Sequence, residues 1–139
     1  MNAAQVTYCG VVYPWQCDHM GHLNVAGYVS KFDEATWAFF ASLGLTRSRF
    51  SESGIGMAAL EQHIRYKREL LPGDIVEIRS RPIEIKDKTL RFVHEMANRD
   101  TGELAADCEL LVVCLDTRMR KAIALPIDVA TQARAAYPG

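Results

Sequence analysis

A short polar segment near the N-terminus holds several reactive side-chain types. Residues 17–24, CDHMGHLN, contain one thiol, one carboxylate, two imidazoles and one carboxamide. A carboxylate can act as a nucleophile or a general base, and a nearby imidazole can orient water or protonate a leaving group. Asp18 is therefore the candidate reacting group and His22 an accessory one. A turn carboxylate and a histidine that fixes the loop are the structural alternatives.

The same segment could also be written as a metal site, with Cys17, Asp18, His19 and His22 as ligands. However, the H-x-x-H spacing is less favourable than the i, i+4 histidine pair of zinc hydrolases, and no distal ligand set follows. The sequence therefore predicts no metal and no cofactor.

A helix is predicted to begin directly after this segment. From Val25 to residue 43, apolar residues recur at helical spacing. Asn24 is placed to cap the first turn, with a catalytic role as the alternative. The first-turn amides around Val25, Ala26 and Gly27 could bind the oxyanion of a reacting carbonyl group. Gly27 would either let a substrate approach or give clearance for packing.

The rest of the chain shows the alternating pattern of β-strands. The predicted strands cover residues 6–13, 57–68, 75–85, 89–99, 103–116 and 121–125, and a small helix covers 127–136. The apolar phase slips at Arg81 and Pro82, which predicts a β-bulge. This order predicts an α+β fold, in which an antiparallel sheet of five or six strands wraps around one long central helix.

Composition and charge limit the function classes. At 139 residues, with 49% hydrophobic residues, the chain is expected to form one domain over residues 1–139. The net charge of -1 gives no long-range field to attract nucleic acid or an anionic membrane. No apolar run reaches the length of a spanning helix, and the start does not resemble a leader, so a cytoplasmic location is expected. The four cysteines lack a CxxC spacing, which favours reduced thiols.

The residues Trp15, Asp18, His22, Asn24 and Tyr28 form the pattern W-x-x-D-x-x-x-H-x-N-x-x-x-Y. Together with the Leu-Pro-Gly-Asp turn at 71–74 and the Asp-Thr-Gly hairpin at 100–102, this pattern resembles the hotdog-fold acyl-CoA thioesterases of the 4-hydroxybenzoyl-CoA thioesterase family. The resemblance spans nearly the whole chain. It implies hydrolysis of an acyl-CoA thioester to the free acid and CoA, with the Asp18 carboxylate as nucleophile or general base.

One position departs from a related pattern. Plant acyl-carrier-protein thioesterases show a similar D-x-N-x-H spacing, but Met20 stands where their asparagine would be. A mechanism that needs an amide at this position is therefore not implied.

Self-association is expected from a strand whose two apolar faces cannot both be covered within one chain. Residues 110–115, LLVVCL, are apolar on both faces of a strand, while a single long helix can cover only one face. We therefore expect a homodimer that pairs edge strands, or a homotetramer built from it. In dimeric hotdog proteins the second strand contributes to the neighbour's site, so Glu61 is a second catalytic candidate, with a solvated strand face as the alternative.

A CoA ligand carries several phosphate charges, so a basic cluster is expected near the site. Two clusters are candidates. The first is on one strand and the second surrounds a hairpin: Arg65, Lys67 and Arg68, then Lys86, Lys88 and Arg91.

Two other functions fit the same pattern. A hotdog dehydratase or hydratase would carry a histidine five residues after the aspartate, whereas here the histidine comes at four. A hotdog module that binds acyl-CoA without turnover is the non-enzymatic alternative. In either case, Phe32, Trp37 and Phe39 on the helix are expected to set the depth of the acyl pocket.

Overall fold

A computed structural model describes residues 4–137, so residues 1–3 and 138–139 of the predicted domain lie outside it. The described residues form three α-helices, two of them between the first and second strands and one after the last strand: α1 (Val25–Ser42), α2 (Arg47–Ser53) and α3 (Ile127–Ala136). A short 3-10 turn covers Pro14–Gln16. The strands are β1 (Gln5–Val11), β2 (Ile55–Tyr66), β3 (Ile75–Ile85), β4 (Thr89–Asn98), β5 (Leu104–Asp116) and β6 (Lys121–Ala122).

All strand pairs are antiparallel, and the strands follow the order β1-β3-β4-β5-β2, with β6 paired to the end of β5. The register of β3 shifts between Pro82 and Glu84, within a residue or two of the predicted bulge. A second shift lies in β2 between Ala59 and Glu61. Because β2 ends the strand order, its outer side is an open sheet edge.

The core lies between α1 and the inner face of the sheet. The ring of Phe39 lies 4.7 Å from that of Phe92, and the ring of Phe40 lies 5.7 Å from the same ring. Leu90, Phe92 and Met96 of β4 are fully buried, as their alternation predicts. The predicted α+β architecture, a curled antiparallel sheet around one long helix, is confirmed.

Three local predictions need correction. Helix α2 was not predicted, because its residues lack apolar periodicity; its first turn is capped by Thr46, whose hydroxyl accepts the Arg49 amide at 3.3 Å. The last strand covers two residues instead of 121–125. Phe32 and Phe39 are each 1% exposed and belong to the core, so only Trp37 of the three aromatic residues can line a pocket.

The outer face of β5 is less covered than its sequence suggests. Leu110, Val112 and Cys114 are buried against the helix, while Leu111 and Val113 on the other face are half-buried. On β2, the apolar face predicted from alternation includes Leu60, which is 56% exposed. These apolar surfaces leave room for a second chain.

A buried polar network crosses the core around His94, which is fully buried. Thr36 donates to the Phe32 carbonyl at 3.0 Å, so its oxygen can accept from Nε2–H of His94 at 2.8 Å. Nδ1 of His94 then accepts a short hydrogen bond from the Ser80 hydroxyl. Burial lowers the pKa of His94 to about 3. The imidazole is therefore neutral and holds α1, β3 and β4 together.

This burial predicts that the free energy of unfolding falls in mild acid. The unfolded histidine titrates near pH 6.5, so between pH 6.5 and 3 only the unfolded state binds this proton, and stability is lost as pH falls through that range. From pH 7 to pH 5 we expect His94 to contribute a loss of about 2 kcal/mol. Urea unfolding followed by circular dichroism should show a smaller loss in His94→Gln. The exposed His63→Gln variant is the control and should lose as much unfolding free energy between pH 7 and pH 5 as the parent. An equal loss in all three proteins would contradict this account.

Candidate active site

The loop that carries Asp18 closes on itself between the 3-10 turn and α1. The Asp18 amide donates to the His22 carbonyl at 3.0 Å, and the Gly21 amide donates back to the Asp18 carbonyl at 3.0 Å. Gly21 has a φ of +86°, which a residue with a side chain rarely adopts. The loop is thus a tight, hydrogen-bonded turn that projects the Asp18 side chain outward.

The Asp18 carboxylate keeps one oxygen available. Its Oδ1 accepts the Met20 amide at 2.9 Å, the geometry of an Asx turn, and no protein donor bonds to Oδ2 within residues 4–137. The side chain is 31% exposed. It lies in a groove of about 320 Å³. The groove is lined by Asp18, His22, Leu23, Val25, Tyr28, Tyr66, Lys67, Arg68 and Glu69.

His22 lies between two carboxylates at the groove. Its Nδ1 is 4.0 Å from Oδ1 of Asp18, and its Nε2 is 3.5 Å from Oε1 of Glu69. Neither distance is that of a strong hydrogen bond, so the ring stands beside the Asp18 carboxylate without immobilising it. Glu69 was not among the sequence candidates, because nothing in its local pattern distinguishes it from a surface acid.

The start of α1 leaves one amide unpaired among the described residues, at a residue that lines the groove. The Ala26 amide donates to Oδ1 of Asn24 at 3.3 Å, and the Gly27 amide donates to the Asn24 carbonyl at 2.8 Å. The Val25 amide has no partner among the described residues, and Val25 lines the groove. Of the three predicted oxyanion donors, the geometry therefore favours Val25. The prediction that Asn24 caps the helix is confirmed.

Gly27 faces the protein interior. A Cβ at this position would come within 2.4 Å of Cδ1 of Leu23, whose side chain is buried. Gly27 is not among the groove residues. The geometry thus favours the packing alternative, in which the missing side chain leaves room for Leu23.

The wall opposite the helix is the segment that follows β2. The Leu23 amide donates to the Leu70 carbonyl at 2.8 Å, and the Tyr28 hydroxyl donates to the Arg68 carbonyl at 3.2 Å. The rings of Tyr28 and Tyr66 meet edge to face at 5.1 Å. Burial, reinforced by Glu69 and Tyr66, raises the pKa of Tyr28, so its hydroxyl remains a donor. These contacts fix residues 66–70 beside the Asp18 loop.

The buried Lys31 side chain connects α1 to the two elements that precede the Asp18 loop, β1 and the 3-10 turn. The Lys31 side chain is 1% exposed, and its Nζ donates to the Tyr8 hydroxyl at 2.9 Å and to the Val11 carbonyl at 3.4 Å. Oε1 of Gln16 is a third acceptor at 3.5 Å. No carboxylate pairs with Lys31 in the part of the chain that the structure describes. The ammonium group therefore ties α1 to β1 and to the 3-10 turn through neutral oxygens. The spacing of apolar residues along α1 gives no sign that this lysine is buried.

The two predicted basic clusters differ in their surroundings. Lys67 and Arg68 line the groove, where Lys67 is 3.7 Å from Asp107 and Arg68 is 3.2 Å from Glu103. Arg65 also pairs with Asp107, at 3.5 Å.

The hairpin cluster lies away from the groove. Arg91 is flanked by carboxylates of Glu61, Glu84 and Glu109 at 3.8, 3.7 and 3.1 Å, which disfavours a phosphate there. Lys86 and Lys88 are exposed and have no ion pair within residues 4–137. Glu61 itself is 67% exposed on β2 and does not line the Asp18 groove of the same chain.

A larger cavity of about 770 Å³ lies toward the other end of α1. Its walls come from α1, α2 and the first residues of β2: Trp37, Ala38, Ala41, Leu45, Thr46, Arg47, Phe50, Ile55, Gly56 and Met57. It shares no lining residue with the Asp18 groove. Sequence analysis named only Trp37 among these residues.

Residues 4–137 contain no cluster of three or more metal-ligating side chains, and none of their helices is long and apolar enough to cross a membrane.

Burial raises the pKa of the Cys108 thiol to about 12. All four cysteines lie within the described part and none forms a disulfide there.

Residues 12–133 match the family model of the thioesterase-like superfamily. The chain belongs to this superfamily. The matched range includes the Asp18 loop, both groove walls and the whole sheet from β2 onward. The predictions of a hotdog fold and of an acyl-CoA thioesterase family are confirmed.

Individual relatives agree with this assignment. A betainyl-CoA thioesterase of Pseudomonas aeruginosa is 33% identical over 118 residues, which cover 84% of this chain and 74% of that protein. An L-carnitine dehydrogenase/betainyl-CoA thioesterase of Agrobacterium fabrum is 29% identical over 109 residues, or 78% of this chain. The match spans only 22% of the Agrobacterium protein.

A solved structure extends the similarity to nearly the whole chain. A hypothetical protein of Staphylococcus aureus, solved in complex with CoA, superposes with a TM-score of 0.90 at 25% identity. The superposition covers 99% of this chain and 88% of that one.

The cap at Asn24 generates a prediction that separates its structural role from a catalytic one. Asn24→Ala removes the acceptor of the Ala26 amide and should lower the free energy of unfolding by about 1 kcal/mol. Asn24→Ser retains a capping oxygen and should stay close to the parent in both stability and kcat. Urea unfolding and steady-state kinetics on the same preparations test this. A kcat that collapses in Asn24→Ser while stability is kept would assign the carboxamide a chemical role.

Proposed function

We propose that residues 1–139 act as one thioesterase domain that hydrolyses an acyl-CoA to the free acid and CoA, with Asp18 as the catalytic carboxylate. The observation that carries this proposal is the partly exposed carboxylate beside an unpaired helix-start amide in a groove. The superfamily assignment and the CoA-bound structural relative support the same substrate class.

The groove supplies the two elements that thioester hydrolysis needs. In the proposed reaction, Oδ2 of Asp18 takes a proton from water as the water oxygen bonds to the thioester carbon. The carbonyl oxygen becomes an oxyanion and accepts a hydrogen bond from the Val25 N–H. Collapse of this intermediate breaks the carbon–sulfur bond, and the proton held by Asp18 neutralises the thiolate. The products are the acid and the CoA thiol.

Asp18 could instead attack the thioester carbon directly, which would form an anhydride that water then opens. We favour the water-activating route because Oδ1 is held by the Met20 amide while the exposed side chain leaves Oδ2 accessible to water. His22 is positioned to orient this water from the side of Asp18, as an accessory group. Because a thiolate is a good leaving group, it requires little protonation from His22.

The assembly we propose is a homodimer that pairs the open edge of β2, or a tetramer formed from two such dimers. The unpaired edge of β2 supports the dimer, since edge pairing would satisfy its outer backbone groups, and the half-buried outer face of β5 supports the tetramer, since face-to-face packing of two dimers would cover it. In such a dimer Glu61, near the middle of β2, would approach the second chain and could contribute to its site. We place the protein in the cytoplasm.

A binding module without turnover is the alternative from another functional class, and a hotdog dehydratase or hydratase is the alternative enzyme. The four-residue spacing of Asp18 and His22 argues against the dehydratase. The binding module differs from the thioesterase in one observable, the release of CoA thiol.

The Asp18 proposal predicts loss of turnover in a variant with an unchanged fold. Asp18→Asn keeps the acceptor for the Met20 amide but cannot accept a proton, so kcat should fall by about 10²–10⁴-fold. Thiol release from a panel of acyl-CoAs, followed with a thiol reagent, measures this. Asp33→Asn, the same change on the exposed face of α1, should retain the parent's rate. Parent-level turnover in Asp18→Asn would exclude this mechanism, and acyl-CoA binding by the parent without thiol release would favour the binding module.

The placement of Lys67 and Arg68 predicts a defect in coenzyme binding. We propose that these two residues hold CoA phosphates, because they line the groove while Arg91 is surrounded by acids. The double variant Lys67→Gln/Arg68→Gln should raise KM for an acyl-CoA by roughly 10-fold, the effect of about 1.4 kcal/mol of lost binding energy.

A truncated substrate provides the control for this prediction. The same acyl group on N-acetylcysteamine lacks the nucleotide phosphates, so its kcat/KM should be nearly equal in the parent and the double variant. If Lys86→Gln/Lys88→Gln instead produced the selective KM increase, the phosphate site would lie at the hairpin.

A further inference from the structure

Lys31 is a charged residue that the fold buries and that the proposed reaction does not use. Among residues 4–137 no other lysine or arginine, and no aspartate or glutamate, is buried. An ammonium group without a carboxylate partner loses solvation that neutral oxygens only partly replace. An apolar side chain of similar length, such as methionine, would pack here with a smaller loss. Stability alone therefore does not account for a lysine at this position.

Strand β1 makes room for the ammonium group. Nζ of Lys31 donates to the Tyr8 hydroxyl at 2.9 Å, and the Tyr8 ring lies across Gly10, two residues further along the strand. A Cβ on Gly10 would lie 2.8 Å from Cζ of Tyr8 and closer still to its hydroxyl oxygen. A larger residue at position 10 would thus displace the hydroxyl that accepts from Lys31. Tyr8 and Gly10 together shape this end of β1 to receive Nζ.

Gln16 connects Lys31 to the two reacting groups of the proposed site. Its side-chain oxygen Oε1 accepts from Nζ of Lys31 at 3.5 Å. Its backbone carbonyl accepts the Asn24 amide at 3.0 Å. Asn24 directly precedes Val25, and Gln16 lies two residues ahead of Asp18. One residue therefore links the buried ammonium group both to the Asp18 loop and to the start of α1.

The proposed hydrolysis requires Asp18 and Val25 to keep a fixed spacing. The Asp18 carboxylate activates the water, and the Val25 amide binds the oxyanion. A misplacement of about 1 Å between such groups can lower a rate by roughly 100-fold. Without the lysine, the one donor left to the Gln16 carboxamide among the described residues is the Tyr13 amide, at 3.0 Å. That amide lies at the start of the same turn, so the carboxamide would no longer connect the turn to α1.

The chemistry favours an effect of Lys31 on geometry over an effect of its charge. During the proposed reaction, negative charge leaves the Asp18 carboxylate and appears on the carbonyl oxygen of the thioester. A cation on the interior side of the loop attracts both groups, so its effects on the starting state and on the oxyanion partly cancel. Directional hydrogen bonds to three acceptors have no such cancellation.

We propose that Lys31 is the positioning residue of this site. Through Gln16, its ammonium group holds the Asp18 carboxylate and the Val25 amide at the spacing that hydrolysis requires. The inference rests on the proposed hydrolysis. It connects Lys31 with kcat and not with substrate binding, because neither Lys31 nor Gln16 lines the groove.

Lys31→Met tests this role because methionine keeps most of the side-chain length and lacks the three N–H donors. In the folded variant kcat should fall by roughly 10- to 100-fold, while KM for the same acyl-CoA stays within about twofold. The free energy of unfolding should stay near that of the parent or exceed it, since apolar packing replaces a buried cation. Thiol release and urea unfolding are measured on the same preparations.

Ser80→Ala is the matched control for the loss of a buried polar group. Ser80 is also 1% exposed, and its hydroxyl bonds to His94 and Thr7. None of its hydrogen bonds in the described part of the chain reaches the Asp18 loop. This variant should lose stability and keep the parent's kcat at temperatures where it remains folded. A loss of kcat as large as that in Lys31→Met would show that destabilisation, and not positioning, lowers the rate.

Variants of Gln16 test the connection itself and do not require Lys31→Met to fold, since Gln16 is partly exposed. Gln16→Ala removes the acceptor and should lower kcat. Gln16→Glu keeps an acceptor for the lysine and should stay near the parent. In a double-mutant cycle, Gln16→Ala should add little to the effect of Lys31→Met, because both substitutions break the same connection.

A parent-level kcat in folded Lys31→Met or in Gln16→Ala overturns the positioning role. Losses confined to KM, or effects of the two substitutions that simply add, overturn it as well. In each of these cases hydrolysis by Asp18 stands. A parent that cleaves no acyl-CoA contradicts the proposed hydrolysis instead.

Discussion

Two backbone hydrogen bonds determine where helix α1 begins, and the site depends on that position. The Asn24 amide donates to the Gln16 carbonyl and the Leu23 amide to the Leu70 carbonyl. The first bond ties the helix start to the 3-10 turn, and the second ties it to the segment after β2. Because both partners belong to other elements, the start of α1 cannot shift by a residue without breaking them. Asp18, seven residues ahead of Val25 and its unpaired amide, is held in register with it.

The buried polar groups of α1 serve the same end. Lys31 and Thr36 are both buried, and each bonds across to the sheet, Lys31 to Tyr8 on β1 and Thr36 to His94 on β4. Burying an ammonium group without a carboxylate costs free energy that apolar packing would not. Apolar contacts tolerate rotation and sliding of a helix, whereas these hydrogen bonds are directional. They therefore define the rotation of α1 about its axis, and with it the face that the groove receives.

Periodicity in the sequence was sufficient to predict α1, the strands and the bulge in β3. Helix α1 and strands β1 to β5 each have seven or more residues in which apolar side chains repeat at one spacing, and Pro82 marks the bulge directly. The two-residue strand β6 was predicted too long. The short helix α2 was not predicted. It is stabilised by the Thr46 cap and by the contact of Phe50 with Trp37, and the spacing of apolar residues shows neither interaction. The position of Asp18 in a groove was foreseen from its motif. Its neighbours Tyr66 and Glu69 were not predicted, because they belong to a segment about 50 residues away in the sequence, which the Leu23–Leu70 hydrogen bond holds beside the loop.

The open edge of β2 has a consequence for a chain that is not paired with another. Twelve residues of extended backbone, with an exposed leucine near their middle, form a template to which other extended peptides can add. If the proposed dimer forms through this edge, a newly made chain is most exposed to misassembly in the interval between folding and association. Slow or dilute assembly would lengthen that interval, so crowding by identical chains would protect the protein. Lys67 and Arg68 directly follow β2 and place positive charge at one end of its open edge. This charge disfavours the addition of unrelated extended peptides at that end.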